Sequence, residues 1–423
     1  MTGPPGPVHD SAERLFRESS GRLVAALTRI LGTEHISLAE DAVQEALLRA
    51  LQTWPYHGVP DNPVGWLFRV ARNRALDDVR RSTTLAGKLA GATLDPGACM
   101  PDGEHVFADD QLTMMFLTCH PALSEPMRAA LTLKIVAGFG VDEIAAAFLA
   151  RRTTIQQRLV RAKRTLRQAS VPFAMPGDHD LPARLEDVLR VLYLVFNEGY
   201  SASAGDSLIR TELCAEAIRL STGLVRHPVM ARPELHALLA LMYLQASRLP
   251  ARTDDLGMLV LLEDQDRTRW DRRAIAQGLR HLEQAAGGET LTAWHLEAGI
   301  ASCHAVAAGV AETDWPAILD YYDRLLEQRP SPVVRLNRAV AVAMVRGPSA
   351  GIAELDGLDR DRSMRAYHLL PAVRARLLER AGRAREAALA YRRATALART
   401  EPERAFLVRR LAQIHGPENG GVT

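Results

Sequence analysis

The chain has 423 residues, enough for two to four domains that each bury a core of their own. Aromatic residues make up only 5% of it, and Ala, Leu and Arg dominate with little alternation of Val, Ile and Thr; this favours an all-α protein and argues against one built on sheets. The net charge of +2 averages over unlike parts, and only Lys88, Lys134 and Lys163 are lysines, so the arginine excess reads as coding bias rather than as a nucleic-acid signal. No apolar run reaches the roughly 18 residues a membrane helix needs. The start, MTGPPGPVHD, lacks a signal-peptide pattern, so a cytoplasmic protein without a membrane segment is expected. Cys99, Cys119, Cys214 and Cys303 lack CxxC spacing, so reduced thiols are expected. Cys119-His120, Cys303-His304 and His295 invite a metal, but adjacent helical residues diverge by about 100°; neither metal nor cofactor is expected.

Residues 1–10 are expected to be disordered. From Ala12 to Leu31 the residues Leu15, Phe16, Leu23, Ala26, Leu27 and Ile30 recur at helical spacing, and Gly32 closes the element. Ser37 is expected to cap a second helix, SLAEDAVQEALLRALQTW, with Ala39, Val43, Ala46, Leu47 and Ala50 inward. Asp41, Gln44, Glu45, Leu48 and Arg49 then face outward, and an outward leucine hints at a partner surface.

The next helix, GWLFRVARNRALDDVRR from Gly65 to Arg81, follows Pro63, with Asp61 or Asn62 as its cap. Leu67, Val70, Ala71 and Leu76 share one face; Arg69, Arg72, Asn73, Arg74 and Arg80 hold the other. Such a surface suits single-stranded DNA, since arginines hold phosphates, rings of the Trp66 and Phe68 kind stack on bases, and an amide reads a base edge. Trp66 and Phe68 serve equally well as core. The helix is expected to end near Ser82, and residues 83–110, rich in Gly, Pro and acids, read as a flexible linker.

Helical periodicity resumes at Gln111, and Ser124-Glu125-Pro126 opens a helix running to Gly138. Val141, Ile144, Ala145 and Phe148 form a short amphipathic helix, Leu149–Arg152 a turn, and Ile155, Leu159, Ala162 and Leu166 the inner face of a second helix from Thr153. This is a helix-turn-helix. The second helix has seven basic residues between Arg151 and Arg167 and no acid. Its outward Thr154, Gln156, Gln157, Arg158, Arg161 and Arg164 are of the types that bridge adenine and guanine in the major groove.

In this order the parts resemble the extracytoplasmic-function (ECF) sigma factors of the sigma-70 family, over about residues 12–168. The resemblance implies that residues 11–82 form sigma region 2, with Asp41, Gln44, Glu45, Leu48 and Arg49 on the clamp helices of core RNA polymerase. It implies a −10 contact by Trp66, Phe68, Arg69, Arg72, Asn73, Asp77 and Arg80, with Asn73 capturing a flipped base. Residues 111–170 would be sigma region 4, which meets the polymerase flap and reads the −35 element through Thr154, Gln156, Gln157, Arg158, Arg161 and Arg164.

The chain departs from most such factors by running on for some 250 residues past Val171. Residues 1–170 carry 20 basic and 18 acidic residues and the rest 32 of each, so the extension is unlike a further DNA-binding module. A helical linking domain is expected over 171–290. Over 291–423, Ala317/Tyr321, Ile352 and Ala387/Tyr391 recur at about 35 residues, as in tetratricopeptide-like repeats, although Asp356 stands where the middle unit wants an aromatic. The whole resembles a subgroup whose large C-terminal domain, joined through segments like VFNEGYSAS and LLEDQDRTRWDRR, does work otherwise given to a membrane anti-sigma factor. That implies no membrane anti-sigma partner, and a signal protein or ligand on the extension. Glu198, Glu263, Asp264, Asp266, Arg267, Arg269 and Asp271 read as structural ion pairs, so no enzyme is expected. The alternative is a helix-turn-helix activator with a repeat-protein sensor, which leaves residues 12–81 unexplained.

Overall fold

The computed structural model of the chain describes residues 7–85, 104–148, 150–200, 209–255, 258–362, 364–398 and 400–414. Among these, every regular element is helical apart from one isolated antiparallel bridge between Thr253 and Leu259. The chain divides into two units, residues 1–194 and 195–423.

The first unit starts with α1 (Pro7–Leu31), α2 (Ile36–His57) and α3 (Pro63–Leu85). Helix α1 begins at Pro7, inside the stretch expected to lack structure, because proline suits the first helical position, where its missing N–H is no loss. Gly32, at φ 90°, closes α1. A single 3-10 turn, Thr33–His35, runs straight into α2, so Ser37 lies inside the first turn and is not its cap. Helix α3 starts at Pro63, and the Asn62 side-chain oxygen accepts the Gly65 N–H at 2.8 Å, which settles the cap between Asp61 and Asn62.

Next come α4 (Glu104–Thr118), α5 (Glu125–Ile135), α6 (Val141–Ala147) and α7 (Arg152–Gln168), and then α8 (Leu181–Tyr200), which carries the division between the units. The expected linker is shortened at both ends: α3 reaches Leu85, and α4 already covers Glu104 to Asp110. Asp110, placed in the linker from sequence, is buried and pairs with Arg29 of α1 at 3.0 Å. The remainder of that linker, 86–103, and residues 1–6 lie outside the described residues. Helix α4 is apolar nearly all round, burying Leu112, Met114, Met115, Phe116 and Leu117, and it packs against α1 and α5. Arg184 and Asp187 of α8 hold this unit too, through the Phe116 carbonyl at 2.5 Å and Arg128 at 2.6 Å.

The second unit follows with α9 (Thr211–Val225), α10 (Pro233–Ala246), α11 (Arg272–Ala285), α12 (Ala293–Val306), α13 (Trp315–Gln328), α14 (Pro332–Arg346), α15 (Pro348–Leu355), α16 (Leu369–Arg380), α17 (Ala384–Leu397) and α18 (Glu401–Ile414). Helix α10 is its buried axis, with α9, α11 and α12 packed around it. Of LLEDQDRTRWDRR only the end is α-helical: Asp266 caps a 3-10 turn, and Asp271 caps α11 by accepting the N–H groups of Arg273 and Ala274. From α12 to α18 each helix packs on the next. The recurring positions fall on α13, α15 and α17. Helix α15 ends at Leu355, so Asp356 lies beyond its last turn and pairs with Arg374 at 2.9 Å instead of packing as an aromatic would. The Tyr391 ring of α17 is buried, with its hydroxyl on Glu379 at 2.9 Å.

Candidate nucleic-acid interface

Three helices of the first unit display polar rows that the core does not use. On α2, Ala39, Val43, Ala46 and Ala50 are buried, so Asp41, Gln44, Leu48 and Arg49 face out, Leu48 being 58% exposed. A lone leucine in a charged row costs solvation that a partner would recover. Glu45 is half-buried and pairs with Arg74 of α3 at 2.7 Å, which ties two of the three helices together.

On α3, Leu67, Phe68, Ala71 and Ala75 are buried. Arg69, Asn73, Asp77 and Arg80 are exposed at spacings of four, four and three, one continuous stripe. Phe68 does not join them. It is 1% exposed and belongs to the core, because it lies one residue before Arg69 and so about 100° round the helix. Trp66 is half-buried, edge-on to Trp54 with ring centroids 5.7 Å apart, and Arg72 is half-buried at the margin.

Helices α6 and α7 form the helix-turn-helix. Ile155, Leu159, Ala162 and Leu166 of α7 are buried, as the spacing predicts. Gln156, Gln157, Arg161 and Arg164 are exposed, and Thr154 and Arg158 are half-buried beside them. Arg152 is taken by Asp142 at 2.8 Å, whereas Arg158, Arg161 and Arg164 make no ion pair among the described residues. Uncompensated arginines beside two amides form an electropositive face able to hold phosphates and read base edges.

Sequence reasoning missed the residue that joins these helices. Glu40 of α2 is buried, accepting from Lys163 of α7 at 2.5 Å and from Lys134 of α5 at 3.1 Å; the Gln44 amide donates to it at 3.2 Å. Lys163 therefore turns inward, away from the row it was counted with. Gly21 of α1 lies so close to the Val136 carbonyl, just past α5, that a Cβ there would be 2.0 Å from the oxygen. The one signal in the sequence was the lysines: in a chain with only three, two meet one carboxylate.

Residues 15–84 match the family described as Sigma-70 region 2, and residues 113–166 the one described as Sigma-70, region 4. The chain belongs to the sigma-70 family. An uncharacterized protein of Rhizobium meliloti (strain 1021) is 41% identical over 397 residues, 91% of this chain and 93% of that one. The ECF RNA polymerase sigma factor SigE of Mycolicibacterium smegmatis is 28% identical over 158 residues, 37% of this chain and 60% of SigE. This chain is accordingly an RNA polymerase sigma factor of the ECF type, binding core polymerase and promoter DNA, with a helical C-terminal extension. Within the extension, residues 184–286 match a family of unknown function, DUF6596. In the sigma factor, region 2 corresponds to α1–α3 and the matched part of region 4 to the stretch from α4 into α7. No helix among the described residues is long and apolar enough to cross a membrane.

The split between core and surface on α3 sets a measurable contrast. Phe68→Ala should cost this sigma factor roughly 3–5 kcal/mol in urea unfolding, as for a buried ring, while Asn73→Ala stays within about 0.5 kcal/mol. A small loss at Phe68 would return that ring to the surface.

Proposed function

We propose that Asp41, Gln44, Glu45, Leu48 and Arg49 of α2 form the surface for the polymerase clamp helices. The α3 stripe Arg69, Asn73, Asp77 and Arg80 then holds the opened −10 strand, with Arg72 and Trp66 at its edge. Thr154, Gln156, Gln157, Arg158, Arg161 and Arg164 of α7 read the −35 element in the major groove, while the flap takes the rest of region 4. The observation that carries this reading is the α3 stripe, four exposed polar residues with no core role, next to the outward row of α2. The chain needs no catalytic group for this work, and its place of action is the cytoplasm, where the polymerase is.

Run-off transcription with core polymerase tests the reading. Initiation is expected, and Asn73→Ala should lower open-complex yield while sparing core binding. Initiation by core without this protein's help, or binding to duplex DNA with no initiation, favours a helix-turn-helix activator instead.

The joined state of regions 2 and 4 is a resting state in this reading. The two promoter elements lie about 25 base pairs apart, roughly 85 Å of duplex at 3.4 Å per step. Helix α3 packs on α2, and Glu40 of α2 holds Lys163 of α7, so one helix and one ion pair join the two reading helices. Reading both elements at once requires the Glu40 contacts and the packing of α4 on α1 to part. Overpacking by Gly21→Ala should disfavour the joined state by about 1–3 kcal/mol. A larger radius of gyration by X-ray scattering and roughly tenfold tighter apparent core binding are expected. An unchanged radius and affinity would remove the joined form as the resting state.

The extension acts in cis, without a membrane anti-sigma factor, and its helix pairs act as tetratricopeptide-like repeats that receive a signal. A truncation to test this has to follow Leu194, since Arg184 and Asp187 belong to the first unit. The truncated protein should initiate less than the full chain; equal output would make the extension an independent module.

A further inference from the structure

Tyr200 of the segment VFNEGYSAS and Trp270 of LLEDQDRTRWDRR are linked in the second unit through Arg248. Tyr200 ends α8, Arg248 and Arg252 follow α10, Arg267 opens the 3-10 turn before α11, and Trp270 follows that turn. The Arg252 guanidinium lies 3.9 Å from the centre of the Tyr200 ring, and that of Arg248 lies 5.7 Å from Tyr200 and 6.0 Å from Trp270. Arg267 stands 5.0 Å from the same Trp270 ring. Three guanidinium groups therefore share two aromatic rings.

Their acceptors are all uncharged. Arg248 donates to the Tyr200 hydroxyl and Arg252 to the Tyr200 carbonyl. Arg267 donates to the carbonyls of His304 and Ala307 at 2.7 and 2.6 Å, and to the Thr313 hydroxyl at 3.3 Å. None of the three has a carboxylate within 4.0 Å among the described residues, whereas Arg338, Arg374 and Arg376 of the same unit are each met by two acids. Glu403, which acts on Arg252 through space, is engaged by His368 at 3.1 Å. Glu312 acts on Arg267 in the same way.

A second observation points the same way. Arg248 Nε, Trp270 Nε1 and His304 Nδ1 are buried without a hydrogen-bond partner, and the Trp270 side chain is only 2% exposed. Arginine Nε and indole Nε1 are obligate donors, so both lack an acceptor. Burial, and then Arg248 and Arg267, push His304 down to about 3, which keeps it neutral beside the guanidiniums. Positive charge gathered on two rings, with unmatched donors on Arg248 and Trp270, suits an anion.

We propose that Arg248, Arg252 and the Trp270 indole N–H bind an oxyanion, the phosphoryl or carboxylate group of a small molecule, in the C-terminal extension. Arg267, saturated by carbonyls, is the fixed wall of positive charge behind it. The site stands independently of the promoter reading, because binding is measured without polymerase or DNA.

The experiment titrates the full chain with inorganic phosphate by calorimetry and tryptophan fluorescence, against sodium chloride of equal ionic strength. A saturable response to phosphate and none to chloride is expected, with succinate as the carboxylate counterpart. A response to phosphate alone assigns a phosphoryl ligand; a response to succinate alone, a carboxylate; a response to both, recognition by charge. Arg248→Gln should weaken binding at least about tenfold, the loss of one charge-assisted hydrogen bond. Trp270→Phe keeps the ring and removes the N–H, so it should weaken binding while the unliganded melting temperature stays near that of the parent; it carries the test if Arg248→Gln does not fold. No saturable response to either anion overturns the site, and equal binding by the folded variants means an adventitious ion only.

Discussion

A carboxylate taken out of water has to be met by positive charge, or it costs several kcal/mol. Glu40 is such a group, and it is met from two sides by Lys134 and Lys163. Because those lysines come from α5 and α7 while Glu40 comes from α2, satisfying one side chain brings regions 2 and 4 of the sigma factor together. The Arg29–Asp110 pair, the Thr33 hydroxyl on the Val171 carbonyl at 2.7 Å and the close approach at Gly21 reinforce the same joint. Lysine suits this role better than arginine would, since a compact ammonium can approach one carboxylate beside a second cation where two planar forks would crowd.

The joint is mixed, since Glu40 and its two lysines accompany the apolar packing of α4 on α1. Buried ion pairs give back on rehydration much of what they provide, whereas buried apolar surface does not. Regions 2 and 4 keep their own cores, around Phe68 and Leu67 on one side and Ile155, Leu159 and Leu166 on the other.

The extension is stabilised differently. Its helices bury aliphatic clusters in sequence, such as Leu336, Leu355, Leu370 and Leu377, and its acids mostly serve as caps or as partners for arginines. Glu198 with Arg210 at 3.4 Å and Glu263 with Arg376 at 2.6 Å are structural pairs of the kind the charge pattern led one to expect. Arg248, Arg252 and Arg267 differ from these pairs in having no carboxylate within 4.0 Å among the described residues while standing against aromatic rings. Cation–π contact with Tyr200 and Trp270 holds the arginines in place without neutralising them.

Much of this was legible in the chain alone, because helix positions follow from a local period. The inner faces of α2 and α7, a cap at Asp61 or Asn62 and the helix-turn-helix needed only residues within one or two turns of each other. The α3 stripe was legible for the same reason, since Arg69, Asn73, Asp77 and Arg80 share a face whatever packs behind them. Phe68 was left open because a ring beside charged residues is compatible with core and surface alike, and only the neighbouring helices decide which. Glu40, Lys134 and Lys163 were hidden for a stronger reason. They lie 94 and 29 residues apart in sequence, and no local period relates them. The sequence by itself determined the helices, their faces and the family; which charges turn inward to meet one another was decided by tertiary packing, since the cost of burying a charge depends on what the fold brings beside it.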